Sequence, residues 1–330
     1  GVGGGAREAR VGGDASGEPG DRWAPRGVLV AHLQEHRGPV RCLASSHDGL
    51  YVVSGGDDGA CKLWDCGRLE RDVSFRSRLT YASQGGRVTA LVSLDDDDRI
   101  VASASDNGSV HAWRVEYVER KGGGAAAGEG GEGFGSRRAS PPGVERYTGA
   151  AEVATVSRAA GAVTAMIRTG TKTLCYSTAR GGIRGWDLRS PSEAFRVRWD
   201  PRLGVVTGLC CEASARSGSV KSGGHDPRWF VAGTSAGCLA LVDLRFAVRA
   251  AEWRLPGAAA NGSRNQSTTG RGVDALATAT DLQSFGDSRP VVWCASGEDT
   301  IAAWDVADGT CQRVLAVSRR LDDGDSTRVG

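Results

Sequence analysis

Five times along the chain a valine, one polar residue, a small residue and a Leu or Met open a segment. These openings are Val40-Arg-Cys-Leu43, Val88-Thr-Ala-Leu91, Val163-Thr-Ala-Met166, Val206-Thr-Gly-Leu209 and Val273-Asp-Ala-Leu276. Each is answered downstream by a short apolar run that closes on Trp-Asp or a near copy: KLWD (Lys62 to Asp65), HAWR (His111 to Arg114), RGWD (Arg184 to Asp187), ALVD (Ala240 to Asp243) and AAWD (Ala302 to Asp305). A unit that recurs at an interval of roughly 50 residues cannot bury its apolar face alone, so the repeats must stack on one another.

Within a unit the alternation of β-branched residues marks two strands, as in Val88 to Leu94 and Arg99 to Ser105, with the acidic turn Asp95 to Asp98 between them. Asp58-Gly59, Asn107-Gly108 and Gly181-Gly182 then mark tight hairpins into a third strand, where a left-handed residue is needed. A fourth, outer strand follows the Trp-Asp, for example Glu193 to Trp199 and Gln312 to Ser318. Four antiparallel strands per unit, all-β, is the sequence form of a β-propeller blade, a fold that usually binds rather than catalyses.

The 330 residues are 40% hydrophobic, enough for a sizeable core, although 49 glycines imply that less than the full length is packed. A net charge of +2 with no basic stripe argues against a nucleic-acid partner. No apolar run reaches the roughly 18 to 20 residues that span a bilayer, so any membrane contact is expected to be indirect. The start at Gly1 without a Met suggests a piece of something longer. Nine cysteines, most of them in strand patterns, read as reduced core thiols of a cytosolic protein, and with neither a C-x-x-C pair nor a His at zinc spacing no metal or other cofactor is expected.

Residues 1–22 read as a disordered linker, 23–318 as the propeller and 319–330 as a tail. Low-complexity tracts at 121–143, 215–227 and 257–270 are expected between strands, where longer loops cost little; the first is taken to separate the second and third repeats.

The first unit is the best formed. His36 precedes Val40, Ser54 lies in the second strand, Asp58 opens the hairpin and Trp64 ends the third strand. The resemblance to WD-repeat blades implies that these four form a buried hydrogen-bond chain. Asn107, Arg180, Ala236 and Glu298 stand in place of Asp58 in later units, and Val242 replaces the Trp, so only the first blade is expected to carry the full network.

In order along the chain, WAPRGVLVAHLQEH (Trp23 to His36), RSRLTYASQGGRV (Arg76 to Val88), ASDNGSV (Ala104 to Val110), GWDLR (Gly185 to Arg189), GTSAG with VDLRF (Gly233 to Phe246) and AWDVADG (Ala303 to Gly309) resemble one WD-repeat family in particular. This is the C-terminal WD-repeat domain of the protein-kinase-like regulatory subunit of class III phosphatidylinositol 3-kinase. The resemblance rests chiefly on LVAHL-x-EH and RS-x-LTY-x-x-x-GGRV, since Trp-Asp endings are generic. It implies a non-catalytic scaffold with seven blades, of which five are recognisable here. By the same resemblance the implied partners are the lipid kinase catalytic subunit, a Beclin-like subunit and Rab-type GTPases, at a cytoplasmic site peripheral to endosomal and autophagic membranes. The serine/threonine-kinase-like domain of such subunits would lie outside this chain.

Several motifs invite sharper readings. Gly128-Glu-Gly130-Gly-Glu-Gly133 matches G-x-G-x-x-G, but it lacks the strand before it and the Lys after it that phosphate cradling needs. Asp95 to Asp98 lacks the spacing of a calcium loop and reads as a solvated hairpin tip. Arg137-Arg-Ala-Ser140-Pro141 fits a basophilic phosphorylation site at Ser140. Asn107, Asn261 and Asn265 begin sequons that a cytosolic protein leaves unused. Trp186-Asp187-Leu188-Arg189 and Val242-Asp243-Leu244-Arg245 resemble the box by which some propellers serve as substrate receptors of cullin-RING ubiquitin ligases, an alternative function beside that of a generic trafficking scaffold. The plainer reading is that Trp113, Trp186 and Trp304 pack between blades while Asp187 with Arg189, Asp243 with Arg245, and Asp305 close the strand ends. No nucleophile elbow or His-Glu-x-x-His is present, and no catalytic residue is assigned.

Overall fold

A computed structural model describes residues 29–46, 48–70, 75–94, 99–119, 144–156, 161–170, 172–180, 182–190, 192–211, 227–255, 272–281, 289–296 and 300–316. They form five four-stranded sheets, each a meander in chain order. The first comprises β1 (Val40–Ser45), β2 (Tyr51–Gly56), β3 (Cys61–Asp65) and β4 (Leu79–Tyr81), and the second β5 (Val88–Ser93), β6 (Ile100–Ser105), β7 (Val110–Glu119) and β8 (Val144–Val156). The third comprises β9 (Val163–Arg168), β10 (Thr173–Thr178), β11 (Gly182–Asp187) and β12 (Glu193–Val197). The fourth is β13 (Val206–Cys211), β14 (Trp229–Thr234), β15 (Cys238–Asp243) and β16 (Val248–Arg254), and the fifth β17 (Val273–Asp281), β18 (Arg289–Ser296), β19 (Thr300–Asp305) and β20 (Cys311–Ala316). This is the blade architecture of a WD-repeat β-propeller. The sheets fall into two compact units, one within Arg22–Arg196 and the other within Val197–Gly330.

The repeated opening has a structural cause. In all five sheets the register between first and second strands shifts immediately after the opening valine, so the polar residue that follows it is a β-bulge. A bulge turns one side chain out of alternation. Polar residues suit the position: Arg41 pairs with Asp57 at 2.7 Å, Thr89 donates to the Ala104 carbonyl, and Thr164 Oγ1 lies 2.8 Å from Ser177 Oγ.

In three of the openings the valine and the Leu or Met pack against the sheet before them. Val88 and Leu91 join Tyr51, Val53, Cys61 and Leu63 of the first sheet, while Val163 and Met166 join Ala102, Ala104 and Ala112 of the second. In the other unit Val273 joins Val231 and Leu239. Val40 and Leu43 are 49% and 66% exposed, because among the described residues no sheet precedes the first in the chain. Outer-strand aromatics add a staple between neighbours: Tyr81 stacks on Trp113 with centroids 5.0 Å apart, and Trp253 on Trp304 at 6.3 Å.

Three local features depart from the sequence expectation. Residues 121–143 join β7 to β8, so they lie inside the second blade and do not separate the second and third repeats. The segment before Val88, to which no strand was assigned, supplies β4, and a short helix, α1 (Cys66–Glu70), follows the first Trp-Asp, where the Asp65 carboxylate accepts the Arg68 N–H at 3.0 Å. Ser140, Asp95 to Asp98, Gly128 to Gly133, Asn261, Asn265 and Glu298, with residues 1–22 and 319–330, lie outside the described residues. Among those described, no helix is long and apolar enough to cross a membrane, and no three metal-ligating side chains are grouped.

Candidate functional site

The first blade holds its polar chain between the lead-in segment and the β2–β3 hairpin. His36 Nδ1 lies 3.0 Å from both carboxylate oxygens of Asp58, and Nε2 lies 2.7 Å from Ser54 Oγ. Ser54 Oγ also accepts the Trp64 indole N–H at 2.9 Å. A carboxylate can only accept, so Nδ1 carries the ring proton and Nε2 accepts from the Ser54 hydroxyl. The His36 and Asp58 side chains are only 6% and 12% exposed.

Burial alone would raise the Asp58 carboxyl, but the Arg37 N–H, the His36 ring and the Ala60 N–H outweigh it and hold it below its ordinary value of 3.8. A depressed carboxyl contributes stability that is present above the unfolded value and lost as pH falls through the folded one. Acidification below about pH 4 is therefore expected to raise amide exchange across β2 and β3, and Asp58→Asn should flatten that response. An unchanged acid profile in the variant would remove Asp58 from the account.

The second blade rebuilds the chain with different chemistry, which corrects the expectation that only the first would carry it. Gln84 stands four residues before Val88, as His36 does before Val40. Its Oε1 accepts from Ser103 Oγ at 2.6 Å, and Ser103 accepts the Trp113 N–H at 3.2 Å. Gln84 Nε2 donates to Ser109 Oγ at 2.8 Å, and Ser105 links Ser109 to Asn107. Gln84 is 1% exposed, and the matched four-residue spacing was the available signal for it.

The later blades lose the network in steps that their registers define. Ser54 pairs with Lys62, two residues before the Trp, and the residues so placed are Ser103, Tyr176, Ala232 and Cys294. Ala232 and Val242 simply pack, both 0% exposed. In the fifth blade Trp304 Nε1 meets only the sulfur of Cys294, a weak acceptor, and has no ordinary hydrogen-bond partner. Burial pushes the Cys294 thiol up to about 11, so the sulfur remains a neutral thiol. Cys294 donates to the carbonyl of Ala302, its register partner, so a hydroxyl in its place could give its proton there and accept from the indole. Cys294→Ser is therefore expected to give Trp304 an acceptor and stabilise this unit by about 1 kcal/mol. Equal unfolding midpoints for variant and parent would refute this.

At the blade ends, Trp113, Trp186 and Trp304 are buried, only 1%, 4% and 6% exposed. Arg189 folds back on Asp187 with Nη2 to Oδ2 at 2.7 Å, and Arg245 on Asp243 at 2.5 Å, each also donating its backbone N–H to the same carboxylate. Asp305, fully buried, accepts from the Ala307 N–H at 2.8 Å and from Gln312 at 3.1 Å. These groups close turns, and no nucleophile and base are brought together among them.

The two non-generic sequence segments meet in space. Glu35, from LVAHL-x-EH, accepts both the Ser77 hydroxyl and its backbone N–H, the latter at 3.1 Å, and Ser77 belongs to RS-x-LTY. Lys62 lies 3.8 Å from the same carboxylate, whose pKa is lowered chiefly by the Ser77 hydrogen bond. Tyr81 of that segment meets His111 Nδ1 at 2.8 Å and Glu152 at 3.0 Å in the second blade. The pair of segments therefore locks the lead-in to the first sheet and the first sheet to the second.

Comparison with known proteins agrees with this geometry. The WD domain, G-beta repeat family matches residues 27–65 and 76–114, which cover β1 to β3, then β4 to β6 and the first half of β7. The serine/threonine-protein kinase VPS15 of Arabidopsis thaliana is 31% identical over 312 residues, 93% of this chain. The chain is homologous to the WD-repeat region of VPS15. A probable serine/threonine-protein kinase vps15 of Dictyostelium discoideum is 32% identical over 234 residues, or 70% of the chain. Cilia- and flagella-associated protein 52 of Mus musculus shares 30% over 95 residues, only 28% of the chain. The chain spans 18% and 10% of the length of the two VPS15 proteins. What matches is the non-catalytic WD region, so the word kinase in their names describes the relatives and not this segment.

Proposed function

We propose that this chain is the protein-binding scaffold of a VPS15-type regulatory subunit in a class III phosphatidylinositol 3-kinase complex. The observation that carries the reading is the likeness to VPS15 over 93% of the chain. Its partners in this reading are the lipid kinase catalytic subunit and a Beclin-like subunit, with Rab-type GTPases as further ligands. The site of action is the cytoplasmic face of endosomal and autophagic membranes, in sorting and autophagy, reached through those partners. Binding would rest on rigid blades presenting a few aromatic and Arg anchors.

The rival reading, a substrate receptor of a cullin-RING ligase, draws on the two Asp-x-Arg turns. Both guanidiniums are already bidentate to their own aspartates, which supports a turn-closing role. Affinity purification of the full-length protein separates the readings. Recovery of a lipid kinase is expected; recovery of a cullin adaptor without one would exclude the first.

A further inference from the structure

The β15–β16 turn departs from its counterpart in the same unit at two adjacent residues. Between β19 and β20 the turn runs Asp305-Val-Ala-Asp308-Gly309, with Asp308 accepting the Thr310 N–H at 2.9 Å and Gly309 at φ 69°. Between β15 and β16 the same positions are held by Phe246 and Ala247. Ala247 takes φ 52°, a left-handed conformation that a Cβ disfavours. Phe246 is 70% exposed, although Asp at that position would serve the turn without exposing a ring. Two neighbouring violations of local preference at one tip point to a role outside folding.

The tip is also pre-organised. Arg245 is fixed by Asp243 through Nε at 3.0 Å and Nη2 at 2.5 Å, and its Cζ lies 5.4 Å from the Phe246 ring centroid. Two of the five guanidinium N–H groups are used, leaving three to meet an acceptor beside the ring. Val248, 51% exposed, extends the apolar surface. Arg245 is charge-balanced by Asp243, and Arg249 lies 3.7 Å from Glu252, so the tip offers little net charge to an anionic lipid surface. Directed N–H groups next to an exposed ring suit a protein surface instead.

We propose that the Arg245–Phe246 turn is a protein-docking tip whose ring enters an apolar pocket that carries a carboxylate on its rim. It goes beyond the lipid-kinase reading and holds whichever protein owns the pocket. The test installs a photo-crosslinker in the full-length protein within its native assembly, as Phe246→p-benzoylphenylalanine, with Val314→p-benzoylphenylalanine at a similarly exposed site as reference.

The expected result is an adduct at 246 on one apolar peptide containing Asp or Glu. Phe246→Ala should lower retention of that protein at least tenfold without lowering the unfolding midpoint. Arg245→Glu should also lower retention at least tenfold, here with a lower midpoint because the Asp243 pair is broken, and replacing the partner's acidic residue by Arg should restore retention. Ala247→Gly should keep retention while raising the midpoint. An adduct yield no higher than at 314, an adduct to lipid or to a second copy, intact retention in Phe246→Ala, or no rescue by charge reversal would each overturn the proposal. An adduct on a protein other than a lipid kinase or Beclin-like subunit, with rescue, would support the tip while counting against the assembly proposed above.

Discussion

His36→Ala is expected to destabilise the first blade by about 3 kcal/mol, because it removes one imidazole and strands two partners. Asp58 would keep its backbone donors but lose the ring N–H that hydrogen-bonds its carboxylate, and Ser54 would be left with Trp64 and the weak contact to the Lys62 carbonyl. Hydrogen exchange at β2 and β3 reads the loss directly. Combining His36→Ala with Asp58→Ala should cost much less than the sum of the two, since the second change removes a group that the first had already orphaned. A cost below about 1 kcal/mol, or simple additivity, would mean that packing of Trp64 alone holds the sheet.

Gly55→Ala should be nearly as damaging, although it adds only a methyl group. A Cβ there would sit 2.5 Å from Val88 Cγ1 and 2.9 Å from Cys42 Sγ, inside the seam between the first two sheets. Neither neighbour can yield without moving a strand, so overpacking of about 2 to 3 kcal/mol is the expected cost. The same geometry recurs in the other unit, where a Cβ on Gly233 would meet Val273 Cγ1 at 2.5 Å. Thermal unfolding of Gly55→Ala alone and with Val88→Ala provides the check, because trimming the valine should recover part of the loss. No recovery would place the strain elsewhere.

The blade count was legible because the opening valine and the closing Trp-Asp are tied to positions every sheet must fill. Val88, Val163 and Val273 pack on the sheet before them ahead of the bulge, and Trp113 and Trp304 pack beneath an outer-strand aromatic. The His36 chain could be read because each member has a characteristic residue type. Gln84 escaped because a glutamine can replace a histidine only if two serines, Ser103 and Ser109, are placed to meet its amide, and that placement is tertiary. The strand β4 escaped for a related reason: at three residues its period is too short to see, and its register to β3 holds it. The tract at 121–143 was assigned to the wrong boundary because β8 lacks a clean alternation, its pairing with β7 being interrupted by three register shifts.

Sequence alone determined the local chemistry of this protein: the β alternation, the left-handed hairpin glycines and the kinship of the segments around His36 and Val88. These depend on neighbours a few residues apart. Tertiary structure alone decided which distant groups complete one another, such as Glu35 with Ser77, Tyr81 with Trp113 and His111, and Gln84 with Ser103 and Ser109. The physical reason is that hydrogen bonds and stacked rings demand partners at a distance and angle that only packed sheets impose.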